Sequence, residues 1–173
     1  MKPSPALLLT HRLANAWNDA SSDAAQRILL VEPDELRAAD LIDRLEPLGV
    51  ESLRARNERD AWDRWCSEGA SCGLLLVALG ASPAGPGDGP TLNAAAVVRR
   101  IRGSSSAGMR VPIIALAAVG GDAVLDLRCR LAGFDECIAF DSDAETLQDL
   151  LLRWRPRARV ASGRASTTAR AAA

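Results

Sequence analysis

The chain has 173 residues, of which 48% are apolar and 25% charged, and its formal net charge is −1. This length and composition predict one globular domain with some residues left for tails. No apolar run approaches the ~18 residues that a membrane-spanning helix needs, and Ala6–Leu9 is too short for the ~7–15-residue apolar core of a signal peptide. We therefore expect a cytoplasmic protein with no membrane insertion.

Residues 1–26 form a predicted N-terminal extension. An apolar patch runs from Leu7 to Trp17 and fits one short amphipathic helix, docked either on the body of the protein or on a second copy of the chain. The second arrangement would produce a homodimer. A disordered terminus is the alternative that this segment leaves open.

From residue 27 onward, five apolar segments predict β-strands. They are Ile28–Val31, Val50–Ala55, Gly73–Leu79, Val111–Leu116 and Cys137–Phe140. Continuous apolar runs are typical of strands that are covered on both faces of a sheet. The second segment has less apolar content and alternates only weakly, which indicates an edge strand.

A segment with helical apolar spacing follows each strand. The predicted caps or first residues of these helices are Asp34, Asn57, Thr91, Asp122, and Ser142 or Asp143. In the first helix we expect the buried stripe to contain Leu36, Ala39, Ile42 and Leu45, which recur with a spacing near 3.6 residues. Gly133 is expected to end the fourth helix.

Five alternations of strand and helix with short connections predict a parallel sheet with helices on both faces. In such folds the functional crevice lies at the carboxyl ends of the strands. The candidate functional residues are therefore those that follow Val31, Val77, Leu116 and Ala139. A nucleotide-binding fold would need a glycine-rich turn after the first strand, and Glu32–Glu35 has three acids and a proline there instead.

The four cysteines show no Cys-x-x-Cys spacing. We expect each of them to be a small, reduced core residue rather than a metal ligand or a disulfide partner. They are Cys66, Cys72, Cys129 and Cys137.

The same strand ends resemble those of response-regulator receiver domains. Leu29–Arg37 is an apolar strand followed by acids, and Leu74–Leu79 resembles the strand that carries the phosphoacceptor aspartate in that family. Pro112–Ala118 resembles its Pro-Ile-Ile-x-Leu-Thr-Ala strand, and Ala132–Asp141 resembles its fifth strand, which ends in Lys-Pro. The resemblance covers about residues 26–155.

The resemblance implies an α/β fold of the flavodoxin-like, doubly wound type. Five parallel strands would lie in the order 2-1-3-4-5, with helices on both faces. The implied receiver-like domain spans residues 27–155 and is followed by a tail, residues 156–173.

The chain differs from the family pattern at the positions that take part in phosphorylation in receiver domains. The phosphoacceptor position is Ala78, and Pro33 replaces one of the acids that help to hold magnesium. Ala117 stands where a Thr or Ser bonds the phosphoryl group, and Phe140 stands where a Lys supplies charge. Cys137 occupies the position of the switch aromatic residue. The resemblance therefore implies a degenerate pseudo-receiver that is not an enzyme.

Glu32 and Asp34 remain as a residual acidic pocket, and we expect it to bind neither Mg²⁺ nor another cofactor, because magnesium prefers several oxygen ligands in octahedral geometry. The favoured interpretation of the two acids is a solvated turn and a helix cap, with residual metal binding as the alternative. A further alternative is a rearranged acceptor site that includes Asp88. We also expect Phe140 to fill the old pocket by packing over the neighbouring alanines.

The sequence thus predicts a stand-alone pseudo-receiver of a two-component or phosphorelay pathway. It would act by phosphorylation-independent contact with a signalling protein, such as a histidine kinase, another regulator or an effector. The resemblance implies that the fourth helix, the fifth strand and the fifth helix form the contact face.

No acid follows Asp149, whereas Arg155, Arg157 and Arg159 open a basic tail. Its low apolar content predicts a disordered segment. The alternative is a basic interaction arm for an acidic partner, an anionic membrane surface or nucleic acid. We expect contact with nucleic acid only through this tail.

Overall fold

A computed structural model of the chain describes residues 27–80, 93–104, 108, 110–118 and 123–154. Strands and helices alternate within these residues. In chain order they are β1 Arg27–Val31, α1 Glu35–Leu45, β2 Glu51–Ala55, α2 Glu58–Glu68, β3 Cys72–Ala78, α3 Ala94–Ser104, β4 Ile113–Ala117, α4 Ala123–Ala132, β5 Glu136–Ala139 and α5 Ala144–Arg153. The predicted elements are confirmed in kind, and most of their ends differ by one or two residues.

The strands form one sheet in the order β2-β1-β3-β4-β5, and every neighbouring pair is parallel. This confirms the predicted order and places β2 at an edge. All seven residues of β3 are buried, because this strand lies at the centre of the sheet with helices on both faces. The carboxyl ends of the strands meet at one edge, where the functional crevice of this fold class is expected.

Two apolar clusters cover the two faces of the sheet. Alternate residues of β1 and β3 point to opposite faces, so that Leu30 and Leu76 belong to one cluster and Leu29 and Leu75 to the other. The first cluster packs against α1 and α5, and the second against α2, α3 and α4. Burial on both faces explains why these strands are continuous apolar runs in the sequence.

The predicted buried stripe of α1 is wrong except for Leu45. Leu36 is 82% exposed, Ala39 is exposed too, and Ile42 is only half-buried. The buried side chains are Ala38, Leu41 and Leu45. Compared with the prediction, the helix is rotated about its own axis. Arg37 and Arg44 account for this rotation, because they lie on one side of the helix and bind groups that follow β1 and β5.

The caps of α1 and α2 are confirmed, because Asp34 and Asn57 accept hydrogen bonds from backbone N–H groups in the first turns. The cap of α3 is Asn93 instead of Thr91, which lies outside the described residues. The Asn93 side chain accepts from the N–H of Ala96 at 3.1 Å, directly before the first turn.

The predicted end of α4 and cap of α5 are confirmed, whereas Asp122, the predicted start of α4, lies outside the described residues. Asp143 caps α5 by accepting from the N–H of Thr146 at 2.8 Å. Hydrogen bonds from the Thr146 side chain and from this N–H lower the pKa of the Asp143 carboxyl. Gly133 follows α4 with φ of 100°, a left-handed backbone conformation that glycine adopts without steric cost.

Within the described residues, no helix is both long and apolar enough to span a bilayer. The apolar patch of residues 1–26, Asp88, and the tail arginines at positions 155, 157 and 159 lie outside the described residues. The predictions that rest on them stay predictions.

Candidate functional site

The carboxyl edge of the sheet brings the predicted site positions together. Val31 pairs with Val77, so that Glu32 follows beside Ala78, and Ala78 in turn pairs with Leu116. Ala78 is 1% exposed. A small, unreactive side chain therefore ends the central strand at this edge.

Glu32 is buried at this edge, with 2% of its surface exposed. One carboxylate oxygen, Oε1, accepts the N–H of Asp34 at 2.9 Å. The other, Oε2, lies 3.5 Å from Nε of Arg37 and has no hydrogen-bond partner. Burial raises the pKa of Glu32, while the Asp34 N–H and the Arg37 guanidinium act in the opposite direction. The predicted solvated turn is therefore wrong for Glu32.

Asp34 is confirmed as a helix cap. Its Oδ1 accepts the N–H of Arg37 at 3.0 Å, and its carboxylate is thereby committed to the start of α1. Pro33, between the two acids, is half-buried, and its carbonyl oxygen accepts from Nη2 of Arg54 at 3.1 Å.

Arg37 stacks on Phe140 while it faces Glu32. Its Cζ lies 4.1 Å from the centre of the Phe140 ring, within the range of a cation–π contact. Arg44 lies 5.6 Å from the same ring centre. The cationic groups around residue 140 thus come from α1. We call the contact group of the Phe140 ring, the Arg37 guanidinium and the Glu32 carboxylate the crevice stack.

Phe140 packs against the apolar cluster on the α1 and α5 side of the sheet. Its backbone N–H donates to the carbonyl oxygen of Ala117 at 2.7 Å, and Ala117 is 2% exposed. The predicted packing of the ring over Ala78 and Ala117 stays a prediction.

Two further arginines hold the loops beside the crevice stack, and the sequence analysis missed both. Arg54 of β2 donates to the carbonyl oxygen of Glu32 at 3.3 Å, and its side chain is only 17% exposed. Arg44 of α1 donates to the carbonyl oxygens of Phe140 and Ser142, at 2.9 and 2.8 Å. The available sequence signal was the spacing of Arg37 and Arg44, which places both on one side of a helix.

Known structures share this architecture. The receiver domain of a sensor histidine kinase from Pseudomonas aeruginosa, solved with magnesium coordinated in its active-site cleft, is 28% identical over 76% of this chain and 98% of that chain, with a TM-score of 0.59. The chemotaxis protein CheY4 from Vibrio cholerae is 18% identical over 75% and 98%, with a TM-score of 0.60. A histidine-kinase receiver domain from Syntrophus aciditrophicus is 23% identical over 86% and 99%, with a TM-score of 0.59.

The chain has the receiver-domain fold. No family model matches the sequence, and no curated protein matches it. The structural comparisons therefore support the fold at sequence identities of 18% to 28%.

The residues at this edge of the receiver fold do not fit a magnesium ion. Glu32 faces Arg37, the carboxylate of Asp34 caps a helix, and Ala78 offers no side-chain oxygen. In the described part of the chain, no three His, Cys, Asp or Glu side chains are grouped so that they could hold a metal. Magnesium prefers a nearly octahedral set of oxygen ligands, which these side chains do not supply.

Cys137, at the predicted switch position, lies on β5 and is half-buried against the cluster that contains Cys129. Cys72 and Cys129 are buried, as predicted for core cysteines. Cys66 is exposed on α2, so the prediction that every cysteine is a core residue is wrong there. Its position on α2 turns its side chain away from the sheet, which Ala61 and Trp65 face.

Proposed function

We propose that this chain is a pseudo-receiver, a signalling module with the receiver fold that takes up no phosphoryl group. It acts by phosphorylation-independent contact with another protein of a two-component or phosphorelay pathway. It has no catalytic activity and binds no magnesium. The observation that carries this proposal is the crevice stack, in which Arg37 bridges Glu32 and Phe140 at the edge where Ala78 ends the central strand.

The chemistry of phosphoryl transfer supports this proposal. The reaction needs a nucleophile, and positive charge or a metal ion that neutralises the developing charge on the phosphoryl oxygens. The methyl group of Ala78 is no nucleophile. The cation nearest to Glu32 is already engaged by a buried carboxylate and an aromatic ring. An incoming phosphoryl group would have to displace Arg37 and leave Glu32 uncompensated, which is costly for a buried carboxylate.

Intact-mass measurement tests whether the chain can accept a phosphoryl group. The full chain and its Ala78→Asp variant are incubated with acetyl phosphate and Mg²⁺, beside the Vibrio cholerae chemotaxis protein as a control for the phosphodonor. We expect neither form of this chain to gain the mass of a phosphoryl group. A stable gain on the unmodified chain would overturn the proposal, and mapping it to Glu32, Asp34 or Asp88 would establish the rearranged acceptor site.

The Ala78→Asp variant separates two reasons for inactivity. If Ala78 were the single defect, this variant would be phosphorylated. We expect it to stay unmodified, because Pro33, Ala117 and Phe140 still lack the groups that receivers use at those positions. A gain of one phosphoryl group by this variant would contradict the assignment of the crevice stack as a barrier to phosphorylation.

An exposed apolar line on α4 supports the contact role. Val124, Leu127 and Leu131 are 57%, 58% and 79% exposed, and their spacing places them on one side of the helix. We call these three residues the α4 ridge. Exposed apolar side chains that line up in this way are typical of protein interaction sites.

The charges beside the α4 ridge indicate the chemistry of the partner. Arg128 and Arg130 are exposed on the same helix, so a partner surface with an apolar centre and acidic groups around it would complement this face. A pull-down with the full chain, a Leu131→Asp chain and a chain that ends at Trp154 compares the ridge with the basic tail. We expect loss of the partner with Leu131→Asp, and a partner that is retained equally by all three chains would contradict the ridge assignment.

A further inference from the structure

The side of the sheet that α1 and α5 cover is acidic. These two helices expose carboxylates that we call the acidic face, namely Glu35, Asp40, Asp43, Glu145 and Asp149. The arginines of α1 contribute little to this surface, because the side chains of Arg37 and Arg44 are only 23% exposed. Arg153, at the end of α5, is exposed but pairs with Glu136 at 2.8 Å. The outer surface of α1 and α5 is therefore negative.

The opposite side of the sheet is basic where α3 and α4 cover it. Four exposed arginines of these helices form what we call the basic face, namely Arg99, Arg100, Arg128 and Arg130. Helix α3 contains no acid, and the one acid of α4, Asp126, is half-buried. The α4 ridge lies on the same helix as two of these arginines. This surface therefore combines exposed apolar side chains with positive charge.

The two faces complement each other in charge and in apolar content. The helices of the acidic face expose Leu36 at 82% and Leu152 at 46%, and the basic face adjoins the α4 ridge. Opposite charges on two surfaces steer their encounter and fix their orientation, while apolar side chains supply surface that is buried on contact. The formal net charge is only −1, so two copies of the chain approach without strong overall repulsion.

We propose that the basic face binds the acidic face of a second copy of this chain. The faces lie on opposite sides of the sheet, so one pair of copies makes this contact only once. Each pair still exposes one acidic and one basic face, to which further copies bind. The contact is heterologous, and copies join head to tail instead of forming a two-fold dimer. This inference rests on the contact role proposed for the α4 ridge, but not on the loss of phosphorylation.

Sedimentation velocity of the purified full chain tests the self-association, because no other protein is present. We expect the average mass at low salt to rise with chain concentration beyond that of two copies. The Debye length falls from about 10 Å at 0.1 M salt to about 3 Å at 1 M, so association should be at least about tenfold weaker at the higher salt. A chain that stays monomeric, or whose mass stops at two copies, would overturn the proposal.

Charge changes on each face locate the contact. The basic-face variant combines Arg128→Glu with Arg130→Glu, and the acidic-face variant combines Asp43→Asn, Glu145→Gln and Asp149→Asn. Within the described residues these five side chains form no ion pair, so the fold should persist, which circular dichroism checks. We expect each variant alone to associate at least about tenfold more weakly than the unmodified chain, since several charge pairs across the contact are lost.

Mixing the two variants tests the pairing of the faces. The mixture still contains one intact acidic face, on the basic-face variant, and one intact basic face, on the acidic-face variant. We therefore expect a complex of one chain of each kind, which cannot extend further. If the mixture stayed monomeric while the unmodified chain associated, the assignment of the two faces as partners would be wrong.

Two controls separate this contact from other causes of association. Arg56→Glu with Arg59→Glu changes the net charge as much as the basic-face variant does, at exposed positions outside both faces, and should associate like the unmodified chain. Equal weakening in this control would contradict the role of the basic face. A chain that ends at Trp154 should also associate normally, and loss of association there would assign the acidic face to the basic tail. No outcome depends on phosphorylation, so the intact-mass test of the proposed function can fail separately.

Discussion

Removal of Arg37 should destabilise the fold through the buried charge of Glu32. In Arg37→Ala, the carboxylate of Glu32 keeps the N–H of Asp34 but loses the cation that lies 3.5 Å from its Oε2. Loss of one partner of a buried ion pair costs roughly 3–5 kcal/mol. The side chain of Arg37 is 23% exposed, so solvent screens part of this loss. We expect the free energy of unfolding to fall by about 2–3 kcal/mol at pH 7.5, including ~0.5–1 kcal/mol for the contact with Phe140.

The pH dependence of this loss identifies its cause. Burial already holds the pKa of Glu32 above its ordinary value, and removal of Arg37 raises this pKa further. The folded state therefore binds the Glu32 proton more tightly than the unfolded state does, and stability falls as the pH rises from the ordinary pKa of Glu32 through its raised, folded-state value. The deficit of Arg37→Ala should be largest at neutral pH, should shrink as the pH falls through this window, and should change no further below the ordinary pKa.

Urea unfolding followed by circular dichroism at pH 7.5 and pH 5 measures the deficit. Arg37→Met is the matched control for packing, because it keeps most of the stem and removes the charge. The same Arg37→Ala change in a Glu32→Gln background should cost at least 1 kcal/mol less than in the unmodified chain, since the buried charge is then absent. Equal losses in both backgrounds and at both pH values would refute the electrostatic coupling and leave packing as the role of Arg37.

Two further predictions concern the second half of the fold. Arg102 donates to the carbonyl oxygen of Gly133 and to the carboxylate of Asp135. Arg102→Met should therefore lower the free energy of unfolding, measured with urea, by roughly 2 kcal/mol. A loss below ~0.5 kcal/mol would contradict the role of Arg102 as a link between α3 and the start of β5. Leu127→Asp and Leu131→Asp should each change stability by less than ~0.5 kcal/mol because both side chains are exposed; a large drop in melting temperature would mean that the α4 ridge belongs to the core.

The strands and their parallel arrangement could be predicted from local signals in the sequence, whereas the strand order was implied by the resemblance to receiver domains. Residues of β1 and β3 are buried on both faces, which requires continuous apolar runs, and each run is followed by a helix with local capping signals. These signals are local, and the alternation of strands and helices indicates that the strands are parallel. The rotation of α1 was not predictable from periodicity, because two apolar stripes overlap in that helix and the polar contacts of Arg37 and Arg44 select between them.

The sequence predicted which residues lie at the candidate site, but not which side chains contact one another there. The strand ends identified Glu32, Ala78 and Phe140, since parallel strands deliver their carboxyl ends to one edge. The role of Arg37 depends on residues that lie far away in the sequence, and a long arginine side chain gives no periodic signal of its partner.

Each of the two apolar layers of the fold contains tryptophan, and Trp62 packs beside Trp65 in one of them. Trp154 packs against the cluster on the α1 and α5 side and donates its indole N–H to Glu136 at 2.6 Å. Trp65 belongs to the cluster on the other face and donates to Ser104 at 2.9 Å. Because the sheet separates the two indoles, chains that retain one or the other tryptophan would report on each layer independently. If the fluorescence transitions of the two chains occurred at different denaturant concentrations, one layer would unfold before the other. A measurement on the whole chain, such as circular dichroism, would not separate the two events.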